Sequence, residues 1–121
     1  MIALDVGATI QRVESDSQRQ IGENAAILRN VNEAIQRGHW PGEEASPAAF
    51  RCECAQLGCS RMIGLTVAEY ERVRANPRWF LIAAGHETRK PEVVVEQHED
   101  YAIVEKRQEA GRVAEASDPR G

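Results

Sequence analysis

The sequence predicts an α+β fold: a long N-terminal helix followed by a small zinc-stabilised domain, in which a short antiparallel sheet accompanies one central helix. Three observations point there. Apolar residues recur at heptad spacing at Ile21, Leu28 and Ile35. A well-marked helix start at Thr66 sits between apolar runs of strand character. All three cysteines, Cys52, Cys54 and Cys59, fall within "FRCECAQLGC".

A chain of 121 residues suits one domain. Its hydrophobic fraction is 42%, much of it alanine, and it has only two Trp, two Tyr and two Phe. The expected core is therefore thin, and a bound metal would supplement it. The net charge of -4 is unevenly spread. The middle is locally basic, with Arg51, Arg61, Arg72, Arg74, Arg78, Arg89 and Lys90, between two acidic ends. Such a sparse set on an acidic chain does not favour nucleic acid as a partner. No run of apolar residues is long enough for a membrane span. The start has no basic region and carries Asp5 early, so no secretory signal is expected. A cytoplasmic setting, where thiols stay reduced, is the expectation.

The elements follow in order. Residues 1–14 show no sustained period and are expected to be loose or a short strand. From about Ser15 to Arg37 the pattern is helical, with Asn24 and Val31 on a second row of the seam. Gly22 weakens this helix by about 1 kcal/mol relative to Ala, and Gly38 followed by Pro41 ends it. The stripe suits packing on the chain's own body or pairing with a second copy as a homodimer. Residues 38–49 read as a linker, with two Gly and two Pro. The expected organisation is then 1–37 helix, 38–49 linker, 50–107 zinc-binding body and 108–121 tail.

Within the body, "RMIGL" at 61–65 reads as a strand. Thr66 and Glu69 form a capping box, and Leu65 with Tyr70 a hydrophobic staple, for a helix over 66–76. Pro77 stops it. Residues 78–87 read as a buried strand ending in a glycine turn, and 91–107 as a hairpin turning at 97–100. The tail is expected to form a turn or two of helix, with disorder at its end.

The spacing C-x-C-x4-C brings three soft donors together, and an odd number of cysteines cannot form a complete disulfide set. A closed structural zinc site takes four ligands, so the thiolates call for a fourth. His86, after Gly85, is favoured, then His98, then His39; Glu87 could support the site or serve as the ligand itself. Buried packing, a thiol redox switch and an iron–sulfur cluster are the alternatives. The charges in "RCEC" argue against a dry core.

The pattern "F-x-C-x-C-x4-C", then "LT-x2-EYE-x-VR-x-NP" and "F-x5-GHE", resembles a group of small uncharacterised bacterial proteins. The resemblance covers about residues 50–107 and, more weakly, 21–37. It implies a Cys3His site of Cys52, Cys54, Cys59 and His86, and no activity. The function expected is a small regulatory or interaction protein with one structural zinc, acting through a protein partner. A zinc-linked redox sensor is the alternative, and a zinc-dependent hydrolase a more distant one. The chemistry designates no catalytic residue and no cofactor besides zinc. Arg61, Arg72, Arg74 and Arg78 are the candidate contact face, the alternative being a solvated face with ordinary pairs such as Glu69–Arg72; Trp40 and Trp79, if exposed, would favour an interface.

Overall fold

The structure, a computed structural model, describes residues 6–87 and 92–120, with side chains of the first helix described from Arg12 onward. The expected start of the hairpin at Pro91, and Arg89 and Lys90 of the basic middle, lie outside the described residues. The fold is α+β, as the sequence predicts. Helix α1 spans Val6–Arg37, strand β1 Pro47–Arg51, β2 Met62–Thr66, helix α2 Val67–Arg74, β3 Trp79–Ala83, β4 Glu92–Gln97, β5 Tyr101–Lys106 and helix α3 Gln108–Ala116.

Helix α1 has 32 residues and starts well before Ser15, so the expected loose segment is helical from Val6. Arg12–Ser17 are all exposed, so burial imposes no apolar period there and the sequence carries no such signal. Further along, Ala25 and Leu28 are buried and Ile21 and Ile35 half-buried, all turned to the body. Gly22 has a packing reason: a Cβ there would stand 3.0 Å from the Ala110 carbonyl and from Val113 Cβ. The glycine lets α3 cross α1 at close range, which offsets its low helix propensity.

Strands β1 and β2 form an antiparallel pair in which Phe50 faces Ile63. The start of β1 at Pro47 takes the end of the stretch expected to be linker. The capping box of α2 is present: Thr66 Oγ1 accepts from Glu69 N at 3.0 Å, and Glu69 Oε1 accepts from Thr66 N at 2.9 Å. A second antiparallel sheet has the order β3-β5-β4, and β4 carries an irregularity between Val94 and Glu96. Phe50 and Tyr70 stack with centroids 4.4 Å apart, and with Phe80, Leu81, Ile82 and Val104 they fill the core.

The tail differs from expectation at its end. It forms the expected helix, α3, but the residues beyond it, expected to be disordered, are tied down: Asp118 pairs with Arg74, and Arg120 with Glu33 and Glu71.

Candidate metal centre

Cys52 leaves β1 with its N–H donating to Arg61 O at 3.0 Å, so the chain is still paired there. The next residue crosses to the other sheet: Glu53 N donates to Leu81 O at 2.7 Å, and Ala83 N donates to Cys52 Sγ at 3.1 Å. The cysteine segment thus lies along the outer edge of β3 and covers the side of that strand that β5 leaves unpaired. After Cys54 the chain doubles back. Ala55 adopts a left-handed φ of 71°, and a turn closes with Cys59 N donating to Gln56 O at 2.8 Å. Arg51 holds the end of the loop by donating to Cys59 O at 2.7 Å.

The fourth group comes from the end of β3. Gly85, at φ 85°, permits the turn, and His86 N donates to Ala83 O at 3.0 Å. His86 Nδ1 then lies 3.5 Å from Cys52 Sγ and 3.7 Å from Cys59 Sγ. The ligand atoms of Cys52, Cys54, Cys59 and His86 all lie within 4.8 Å of one another, placed to hold a metal ion. Among the described residues this is the one such group, and Glu87 is not part of it.

The other histidines are elsewhere. His39 contacts the Glu43 carbonyl. His98 stacks on Tyr101 at 4.3 Å and meets Glu96 at 2.9 Å.

Burial opposes charge on the inner thiols. It pushes Cys52 up to about 12, with the nearness of Cys54 and Cys59 adding to the shift. Burial also raises Cys54. At Cys59 burial acts the same way, but hydrogen bonds from the Arg61 backbone and the neighbouring thiols outweigh it, and its pKa is lowered. A bound cation would reverse the penalty at Cys52 and Cys54, because a coordinated thiol gives up its proton.

Glu53 is the residue the sequence reading missed, and the "RCEC" argument against a dry core is overturned by it. Its carboxylate is fully buried. Oε2 accepts from Asn32 Nδ2 at 2.8 Å and from Tyr70 OH at 2.7 Å, and Oε1 accepts from Leu81 N at 2.8 Å. One side chain between two cysteines is thereby fixed to α1, α2 and β3. The signal was available in the spacing: in an extended C-x-C, if both sulfurs face one side, the middle residue faces the other.

The arginines do not form an open basic face. Arg74 is buried and paired with Glu33 and Asp118. Arg72 pairs with Glu96, and Arg78 with Glu115. Arg61 is exposed, on a cleft of about 400 Å³ between β2 and the turn 98–101. Trp79 is half-buried and donates to Glu105 at 3.2 Å, whereas Trp40 is exposed.

Comparison with family models, with curated proteins and with solved structures finds no match to this chain. No helix among the described residues is long and apolar enough to cross a membrane.

Proposed function

We propose that this chain is a zinc-binding interaction module whose Cys3His centre is structural. The observation that carries the reading is the spacing of the donors. Zinc–sulfur bonds of about 2.3 Å and a zinc–nitrogen bond of about 2.0–2.1 Å in a tetrahedron give sulfur–nitrogen edges of about 3.6 Å. The Nδ1–Sγ separations of 3.5 and 3.7 Å match those edges. Thiolate-rich tetrahedral sets favour zinc among common divalent ions. Four protein donors leave no open position for water, which favours a structural centre over a hydrolytic one.

The partner is a protein in this reading. Zinc would fix the loop between Cys54 and Cys59, whose tip presents Leu57 at 49% exposure, and Met62 nearby is 51% exposed. Apolar side chains held on a rigid loop suit a protein contact.

Elemental analysis of wild type beside His86→Ala tests the centre. The expected result is about one zinc per chain in wild type and sharply weakened retention in the variant. Zinc fully kept by His86→Ala would mean that the fourth position belongs to another donor, and no zinc in either would remove the reading. The redox alternative has one observation in its favour, the partial exposure of Cys59. It requires that peroxide expel the zinc and leave a disulfide between two of the thiols.

A further inference from the structure

Helix α1 has two seams, and among the described residues only one packs on the body. Ile21, Ala25 and Leu28 face the body. A second row, Gln20, Asn24, Ile27, Val31 and Ala34, alternates by four and three residues, the spacing of a coiled-coil seam. Ile27 is 50% exposed and Val31 38%, and Ala34 is exposed too. Exposed Glu23, beside Asn24, and exposed Arg37, one turn past Ala34, flank this row with opposite charge.

We infer that this second seam pairs antiparallel with the same seam of a second copy, giving a twofold dimer. The antiparallel register follows from the residues. Setting Ile27 against Val31 of the second copy, and the reverse, puts the large apolar side chains at the centre. Asn24 then meets Ala34 of the second copy, a small residue that leaves room for the amide. Glu23 comes opposite Arg37 of the second copy, twice by symmetry, and so each charged end meets its complement. A parallel arrangement would put Glu23 level with Glu23 and Arg37 level with Arg37, like charges at matching heights. An isologous contact requires a self-complementary patch, and this stripe with opposite charges at its ends is one.

The same register gives Trp40 a place. At 75% exposure it stands just beyond the end of α1. In the antiparallel pair it comes level with Ser17–Ile21 of the second copy. There α1 and the start of α3 frame a groove of about 250 Å³ lined by Val13, Glu14, Ser17, Gln18, Ile21 and Gln108. Its lining is partly apolar, as an indole with one polar edge requires.

The seam is short and half polar, so the dimer belongs to the small class of interfaces, with a dissociation constant on the order of 10–100 µM. Sedimentation equilibrium of the full chain at low salt tests it. Wild type should move from monomer to dimer over that range. Ile27→Asp should weaken association at least about tenfold, since each dimer loses two contacts. Its circular dichroism and zinc content should stay those of wild type, because Ile27 does not face the body; this separates failure of the dimer from failure of the metal reading. Glu23→Arg and Arg37→Glu should each weaken association, and the double variant should restore it to within about twofold. A chain that stays monomeric at about 500 µM, or an Ile27→Asp variant that dimerises as wild type does, would overturn the proposal. Failure of the double charge swap to restore association would overturn the antiparallel register.

Discussion

Glu53 and Arg74 are both buried, and both join segments far apart in sequence, but they do so by opposite means. Glu53 gathers neutral donors: an amide, a phenol and a backbone N–H. Burial, the largest influence on it, pushes its pKa up against those hydrogen bonds. Arg74 gathers charge. It sits between Glu33 of α1 and Asp118 beyond α3, and Arg120 binds Glu33 again from the other side at 2.9 Å. Burial raises Glu33 as well, yet the hydrogen bonds from Arg74 and Arg120 outweigh it and hold the carboxylate below its ordinary range. The difference shows how each region is secured. The metal corner is fixed by hydrogen bonds to a single acceptor whose charge is disfavoured, and the helical corner by ion pairs whose charges are maintained.

The largest expected effect is at Glu53. Glu53→Ala strips the acceptor from three donors in the core, and each stranded donor costs about 1–3 kcal/mol. The expected loss is about 4 kcal/mol or more in urea unfolding, with weaker retention of a metal at the Cys3His group, because the link from Cys52 and Cys54 to α1 and α2 is gone. A loss under about 1 kcal/mol would mean that water satisfies those donors, and the contrast between the two corners would fail.

Arg74→Met comes next. It leaves Asp118 without its buried partner while Glu33 keeps Arg120, and the expected loss at neutral pH is about 3 kcal/mol. The acid response sharpens the contrast. At Asp118, burial is again opposed, by the Arg120 N–H and the Arg74 side chain, and its pKa is lowered. Carboxylates held down in the folded chain contribute their full stability above the unfolded value of about 4, and lose it as the pH falls through that value toward the folded one. Wild type should therefore lose stability on acidification from neutral pH, and Arg74→Met should lose less over the same interval. Denaturant midpoints of both proteins at both pH values measure this double difference, in which acid release of metal cancels. Equal losses in the two proteins would place the acid sensitivity elsewhere.

These two corners were unequally legible in the sequence. The cysteine spacing, the glycine before His86 and the capping box at Thr66 are local signals, written in neighbouring residues; the structure brings the Cys3His group together and forms the helix start. The partners of Arg74 are not local. Glu33 lies 41 residues before it and Asp118 44 residues after it, so no window shows the pair, and an arginine on a short helix reads as solvated. Strand β1 is invisible for another reason. "PAAFR" holds no β-branched residue, and its conformation comes from pairing with β2 and from packing beside α1. The first turns of α1 lack any buried face in the described side chains, and a helix without a buried face has no period to read.

Arg72 and Glu96 form the exposed counterpart of these pairs, and the smallest effect is expected there. Hydrogen bonds from Arg72, then from His98, hold Glu96 down to about 2. Taken alone, that depression suggests a strong pair. Yet the arginine side chain is 51% exposed and the carboxylate 28%, so water competes for both groups and screens their attraction. Holding two long side chains in one geometry also costs entropy. Arg72→Ala should therefore shift stability by only about 0.5 kcal/mol, and added salt should shrink the difference further. A loss of 3 kcal/mol like that expected at Arg74 would show that the geometry of an ion pair outweighs its burial in this protein, because the two arginines share one short helix and differ chiefly in their access to water.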